Sequence, residues 1–187
     1  MKGKLLIFSA PSGAGKTTIV QYLLGLKLGL EFSVSATSRM KRDSETHGKD
    51  YYFLTAEEFR QKIKMKEFIE WEEVYPGQFY GTLGQEVERI RNKGNHVVFD
   101  VDVIGGLNIK KQFGPDALAI FVQVPSIEVL EERLRARSTE DEASLQKRLK
   151  KAIRETGYAG KFDVILMNDK LDKTLLKARE IVTNFLK

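Results

Sequence analysis

Residues Ala10 to Thr17 read Ala-Pro-Ser-Gly-Ala-Gly-Lys-Thr, the residue types and spacing of a loop that cradles phosphates. Gly13 and Gly15 let successive backbone N–H groups turn inward around an anion, and the N-terminus of a following helix adds partial positive charge. Lys16 can reach the β and γ phosphates of a nucleotide, and the Thr17 hydroxyl can bind Mg2+. The pattern G-x-x-x-x-G-K-[ST] is met except at its first position, Ala10, whose Cβ requires an ordinary φ there. A solvated turn that happens to hold two glycines and a lysine is the competing reading. The flanks argue against it, because Leu5-Leu6-Ile7-Phe8 reads as a strand and Ile19 to Leu24 as one face of a helix. Strand, glycine-rich turn and helix are the context such a loop needs.

Asp100 is the natural partner of this loop. It ends the apolar run Val97-Val98-Phe99, which predicts a strand buried on both faces and, in a doubly wound sheet, lying beside the loop. A carboxylate there can organise Mg2+ with Thr17, directly or through water. It can equally cap the helix that starts near Val103, a role open to Asp102 as well. His47 and His96 stand apart without metal-ligand spacing, and no role is assigned to either.

The elements that must position these residues follow from apolar periodicity. Phe32 to Thr37 alternates as a strand, and the polar stretch Ser38 to Asp50 reads as a functional loop. Asp50 to Leu54 reads as a strand, and Thr55 with Glu58 has capping-box spacing for a helix ending near Lys66. Phe68 to Tyr75 is a further strand, with a turn at Pro76-Gly77 before Tyr80 to Leu83. Helices are predicted over Gln85–Lys93 and Val103–Phe113, then a strand over Ala117–Val124. A helix through Leu130, Leu134 and Arg137 is broken at Ser138 to Asp141, and a long basic helix runs on to Thr156. Val164 to Met167 is a last strand and Leu171 to Leu186 a last amphipathic helix. Strands near Leu5, Val97, Leu118 and Val164, separated by helices, predict an α/β fold with a parallel sheet flanked by helices. The segment from Phe32 to Leu83 reads as an inserted lobe of mixed sheet.

Composition sets the class. The chain has 187 residues, 42% hydrophobic and 30% charged, as in an ordinary soluble protein with a proper core. It has no cysteine, which excludes a disulfide framework and thiolate chemistry. No signal peptide or membrane-length apolar segment is visible, so a cytoplasmic location is expected and no membrane partner. The formal charge of +5 is spread along helices rather than gathered in one block, so it predicts arginines for a small phosphorylated ligand and not a nucleic-acid partner.

The remaining motifs resemble those of the guanylate kinase family over nearly the whole chain, Lys4 to Phe185. They are Ser35-Ala-Thr-Ser-Arg39-Met-Lys-Arg42, Gly48-Lys-Asp50-Tyr51, Glu67-Phe-Ile-Glu70-Trp71, Tyr80-Gly81-Thr82, Asp100-Val-Asp102, Arg133-Leu-Arg-Ala-Arg137, Lys147-Arg148-Leu149 and Asn168-Asp169. The departures are Ala10 and Ser44 where glycine is usual, and Ser38 where a second threonine is common. The resemblance implies a P-loop kinase of one domain spanning 1–187. Its core would comprise 1–31, 84–125 and 157–187, its GMP-binding lobe 32–83 and its helical lid region 126–156. It implies transfer of the γ-phosphoryl of ATP to GMP, and to dGMP, with Mg2+, in purine nucleotide metabolism and GMP recycling.

Phosphoryl transfer needs charge neutralisation and in-line positioning, and a GMP phosphate is already an anion, so no general base is sought. Arg39 and Arg42, three apart in a loop, can fork onto that phosphate, and by resemblance Tyr51 and Tyr80 donate hydroxyls to it. Arg137 and Arg148, in the lid region, would act on the ATP phosphates as an arginine finger does, with Lys16 on the loop side. Arg133 either joins them or pairs along its own helix. By resemblance Glu70 and Asp102 accept from the guanine N1–H and amino group, and Ser35 and Thr82 are hydroxyl partners of the base. Glu70 could otherwise be an exposed strand residue. Asn168 lies near the ATP base by resemblance or else is a turn residue.

Three other readings compete. A domain of this family that has lost catalysis and binds phosphopeptides would typically lack the intact Gly15-Lys16-Thr17. A kinase for adenylate is disfavoured by the Glu70 and Asp102 pair, and a GTPase by the expectation that a lid excludes water.

Overall fold

The computed structural model describes residues 2–137 and 142–187, the Arg137 side chain excepted. The expected helix break at Ser138 to Asp141 lies outside the described residues. The elements run β1 (Leu5–Ser9), α1 (Lys16–Leu24), β2 (Leu30–Phe32), β3 (Ala36–Thr37), β4 (Tyr52–Phe53), α2 (Ala56–Lys64), β5 (Phe68–Tyr75), β6 (Gln78–Leu83), α3 (Gly84–Asn92), β7 (His96–Asp100), α4 (Val103–Phe113), β8 (Ala117–Gln123), α5 (Ile127–Arg137), α6 (Glu142–Thr156), β9 (Val164–Met167) and α7 (Leu171–Leu186). One sheet has the order β2-β7-β1-β8-β9 and a second the order β4-β3-β6-β5. The chain divides into two units, one of residues 5–30 with 98–187 and one of residues 2–4 with 31–97.

In the first unit β1 pairs in parallel with β8, Leu5 opposite Ala117 through Ser9 opposite Phe121, and β8 pairs in parallel with β9. Strands flanked on both sides and covered on both faces should be apolar throughout, and β1 is buried at all five positions. Ala119 and Phe121 of β8 pack with Val103, Ala159 and Phe162 on one face. Ile120 and Val122 point to the other face by strand period and are equally buried. Helix α4 lies close on β1 because Gly106 has no side chain, and a Cβ there would collide with the Ser9 hydroxyl. At the edge, β9 alternates, with Leu166 buried and Ile165 and Met167 exposed. Helices α5 and α6 pack on each other, α6 through a stripe of Leu145, Leu149 and Ala152.

In the second unit β3 runs parallel to β4 and antiparallel to β6, which pairs antiparallel with β5. Helix α2 starts at the predicted capping box, Glu58 N–H to Thr55 Oγ1 at 3.1 Å and Thr55 N–H to Glu58 Oε2 at 2.7 Å. It anchors the sheet through Phe59, whose ring stacks on Phe68 at 4.2 Å and on Phe79 at 5.3 Å. The helix stops two residues short of Lys66, which takes a left-handed φ of 55°.

The single strand expected over Phe32 to Thr37 is two strands in two sheets. The chain changes sheets at Ser33-Val34-Ser35, where a side chain and the neighbouring strand β4 take up backbone groups that a continuous strand would have given to one sheet. Glu86 Oε1 accepts the Val34 N–H at 3.3 Å, and the Ser35 carbonyl accepts the Tyr52 N–H at 2.9 Å. Alternation of side chains does not register such a handover. Otherwise the architecture is the α/β fold expected from the sequence, a sheet flanked by helices with a second, mixed sheet. Among the described residues no helix is long and apolar enough to cross a membrane.

Candidate nucleotide sites

The phosphate loop joins β1 to α1. Gly13 and Gly15 both take φ 89°, open only to glycine without strain, whereas Ala10 does not take a positive φ, as its Cβ requires. The loop closes with Ala14 N–H to the Pro11 carbonyl at 3.1 Å. Helix α1 begins at Lys16, and Gly15 as its N-cap supplies no side-chain acceptor. The first N–H groups of the helix are therefore left to an anion rather than to a protein cap.

Across the loop, the Lys16 ammonium pairs with the Asp100 carboxylate and donates to the Val101 carbonyl at 3.0 Å. Thr17 Oγ1 donates to Asp100 Oδ2 at 3.3 Å. Asp100 thus stands beside both loop residues, as its place at the end of a strand predicts. The capping role falls to Asp102, whose Oδ1 accepts from Ile104 N–H at 2.7 Å and Gly105 N–H at 3.0 Å.

Asn168 is set under the loop. It is 4% exposed, and its Nδ2 donates to the Ala14 carbonyl at 2.7 Å. The Asn168 carbonyl in turn accepts from Arg133 Nη2 at 3.1 Å. A Cβ on Gly15 would collide with that same Nδ2, so Gly15 is required by its contact as well as by its φ. Arg148 of α6 donates through Nη2 to the Ser12 hydroxyl at 2.9 Å. Arg137 ends α5, and its side chain lies outside the described residues.

In the other unit Glu70 is 8% exposed and Thr82 fully buried, with Thr82 Oγ1 donating to Glu70 Oε1 at 2.6 Å. Glu70 is thus not the exposed strand residue that the sequence left open, although its neighbour Trp71 is exposed. The pair is adjacent because β5 and β6 are in register there, and Gly81 permits the approach. A Cβ at Gly81 would lie 2.7 Å from the Glu70 carbonyl and 2.9 Å from Trp71 Cβ. Arg39 lies over the faces of Tyr51 at 5.1 Å and Phe53 at 5.6 Å. Tyr51 meets Tyr80 edge-on at 6.0 Å. A Glu45 carboxylate and the Tyr80 hydroxyl beside it hold the Arg39 guanidinium above its ordinary pKa. Arg42 is exposed three residues on, and Ser35 is half-buried between β2 and β3.

The family model for guanylate kinase matches residues 2–185. The chain belongs to the guanylate kinase family. A guanylate kinase of Bacteroides thetaiotaomicron is 52% identical over all of this chain and 91% of its own length. One of Porphyromonas gingivalis is 48% identical, with 98% of each chain covered. The crystal structure of guanylate kinase from Anaplasma phagocytophilum superposes with a TM-score of 0.76 at 28% identity, over 99% of this chain and 87% of that one.

Each unit, then, brings together one group of the residues expected from sequence. Lys16, Thr17 and Asp100 form one, with Asn168, Arg133 and Arg148 tied to the same loop. Arg39, Tyr51 and Tyr80 form the other, with the pair Glu70 and Thr82 on the sheet beside it. Sequence reasoning passed over two carboxylates. Glu86 is 3% exposed and holds Tyr52 Oη at 3.0 Å, the Val34 N–H and the Nε/Nη2 edge of the Arg89 guanidinium. Burial alone would raise its pKa, but these hydrogen bonds, from Arg89 first, outweigh it and hold the carboxyl below its ordinary value. The i, i+3 spacing of Glu86 and Arg89 was the one available signal. Glu45 is the second, and nothing in its spacing marks it.

Proposed function

We propose that this chain phosphorylates GMP with ATP, giving GDP and ADP. An oxygen of the GMP phosphate forms a bond to the γ-phosphorus, and the bond from that phosphorus to the β,γ-bridging oxygen breaks, leaving ADP. The observation that carries the reading is the buried Glu70 carboxylate on the sheet that also bears Tyr80. A buried acceptor of this kind suits the N1–H and amino donors of guanine, whereas adenine carries no N1–H to meet it. Asp102 is assigned to the guanine amino group through Oδ2, its Oδ1 being used by the α4 cap. Ser35 and Thr82 are assigned to the base as hydroxyl partners. Arg39, Arg42, Tyr51 and Tyr80 are assigned to the GMP phosphate. No residue in this assignment reads the ribose 2′-hydroxyl, so dGMP is expected to serve as an acceptor too.

On the donor side, the loop from Ala10 to Thr17 takes the ATP phosphates. Lys16 reaches the β and γ oxygens, and Arg137 and Arg148 with Arg133 act from the helical pair α5 and α6. The pairing of Lys16 with Asp100 supports this reading, since the ammonium is held at the loop by a neighbour that an incoming phosphate can replace. Asn168 is assigned to the ATP site through the loop it supports. Thr17 and Asp100 offer two hard oxygen donors 3.3 Å apart, and a small set of protein oxygens is what Mg2+ uses when nucleotide phosphates and water complete its shell. These two residues would hold Mg2+, which when bound neutralises charge on the β and γ phosphate oxygens. The reaction is placed in the cytoplasm, where both nucleotides are held, and in the recycling of GMP.

The test is ADP formation in a coupled assay with ATP, Mg2+ and each of GMP, dGMP, AMP, UMP and CMP. Turnover with GMP and dGMP alone is expected. Turnover with AMP would overturn the base assignment, and a folded protein that binds GMP without turnover would make the chain a binding module.

A further inference from the structure

We propose that Glu45 is a positioning residue for the acceptor phosphate: it holds the Arg39 guanidinium and the Arg42 backbone in the arrangement that grips GMP. The inference rests on the assignment of Arg39 and Arg42 to that phosphate.

The loop from Arg39 to Glu45 carries three cations, Arg39, Lys41 and Arg42, in four residues. In water such a run repels itself and spreads over many rotamers. Here it closes on one side chain. Glu45 takes the end of the Arg39 guanidinium as a fork, with Nη1 donating to Oε2 at 2.7 Å and Nη2 to Oε1. Oε2 also accepts the Arg42 N–H at 2.9 Å. The backbone of Glu45 completes the closure, its N–H donating to the Arg42 carbonyl at 3.0 Å and its own carbonyl accepting from Lys41 Nζ at 2.9 Å. The Glu45 side chain is 14% exposed, although the loop around it is open to solvent. The Arg39 fork and then the Arg42 N–H hold the carboxyl down at about 2, so the pair is ionised at any physiological pH.

The geometry of a guanidinium then says what Glu45 is for. Its five N–H bonds lie in a plane, with one fork at the Nη1/Nη2 end and a second along the Nε/Nη2 edge. Glu45 occupies the end, Nη1 also donates to the Met40 carbonyl at 3.0 Å, and Tyr51 and Phe53 cover a face. The Nε/Nη2 edge is left as the fork for a phosphate, with the Tyr80 hydroxyl in reach of the same guanidinium. Glu45 therefore does not merely neutralise Arg39. It fixes which edge of the guanidinium meets the ligand.

Removing the charge has two opposed effects on GMP binding. The loop becomes more positive, which favours a dianion, an effect that salt screens only in part because the Glu45 side chain is 14% exposed. The Arg39 side chain also regains rotamer freedom that binding must then remove, and this is the larger effect, a roughly 10- to 30-fold loss.

Glu45→Gln keeps the volume, and the residue belongs to no core cluster, so the fold should persist, as a thermal melt will show. Expected is a roughly 10- to 30-fold rise in KM for GMP, with KM for ATP within twofold of the unsubstituted enzyme. Calorimetric binding should weaken for GMP and not for guanosine, which has no phosphate. In an Arg39→Ala background, which already lacks the guanidinium, Glu45→Gln should cost at most a few-fold through Arg42. An unchanged or lower KM for GMP would overturn the proposal, the latter by making Glu45 a competitor of the phosphate. Equal losses for GMP and guanosine, or a full effect without Arg39, would overturn it too. An unsubstituted enzyme that does not turn over GMP would instead count against the assigned reaction, which separates the two failures.

Discussion

Glu70→Gln and Thr82→Val alter the two ends of one 2.6 Å contact, and the two substitutions should fail in different assays. Gln keeps an oxygen for the Thr82 hydroxyl and keeps the volume, so the fold should lose less than about 1 kcal/mol. What it removes is a charged acceptor for guanine, and it turns an N–H2 group toward the N1–H and amino donors. A hydrogen bond to a charged group contributes about 1.5–3 kcal/mol, and facing donor to donor adds the cost of an unmet group, so about 2–4 kcal/mol should be lost on binding GMP. At about 1.4 kcal/mol per decade that is a roughly 30- to 700-fold fall in kcat/KM for GMP. The same parameter for AMP should not fall, so the preference for GMP shrinks by the same factor. Thr82→Val removes a hydroxyl bond made in the free protein as well as in the complex. By the thermodynamic cycle its cost, about 1.5–3 kcal/mol, falls mainly on folding, read as a lower urea midpoint with unchanged m. Initial rates by coupled ADP formation and urea unfolding by circular dichroism measure both. Glu70→Gln with its GMP preference intact would refute base recognition by this carboxylate. A Thr82→Val protein of undiminished stability would refute the claim that the hydroxyl holds it.

Three further outcomes follow from other contacts. Asn168→Ala takes the donor from the buried Ala14 carbonyl and should lower stability by about 1–3 kcal/mol while raising KM for ATP, and Asn168→Asp, which faces an acceptor to that carbonyl, should be worse; urea midpoints and ATP titrations decide it. Gly15→Ala meets both a left-handed φ and the Asn168 amide, so its cost of about 2–4 kcal/mol should shrink in an Asn168→Ala background, a non-additivity that a double-mutant cycle reads. Glu31 is held down to about 2: burial alone would raise it, but Asn95, Arg89 and Lys93 together outweigh burial. Its unfolded form takes up a proton below about 4.5, so stability should fall as pH drops from 4.5 toward 2 and be level with respect to this group above that window. Glu31→Gln should cut proton uptake on unfolding there by about one, seen as a shallower fall of the melting temperature.

Much of this molecule was legible before its structure. The phosphate loop announced itself because its chemistry is local: two glycines, a lysine and a threonine in five residues leave few other uses. Helix α4 and strand β8 were bounded within a residue because Gly114-Pro115 and Pro125 cannot continue either element. The failure at Phe32 to Thr37 is of another kind. Alternation reports that each residue faces one of two sides, and it says nothing of which sheet supplies them. The handover at Ser33-Val34-Ser35 depends on Glu86 and Tyr52, which are distant in sequence.

The site divides along the same line. Residues assigned to a ligand are typed by that ligand, so Arg39, Tyr51 and Glu70 can be proposed by asking what a phosphate or a guanine needs. Residues that hold those side chains are typed by the fold, and their identity means nothing until partners are known. Glu45 and Glu86 are, on sequence, two glutamates among many in a chain with 26 acidic residues. In the structure each receives an arginine and a backbone N–H, and each fixes a segment that turns between elements. A carboxylate that receives a fork and a backbone N–H at once defines a direction in space. On the proposed assignment, that direction is the one from which Arg39 meets the acceptor phosphate, and Glu45 sets it.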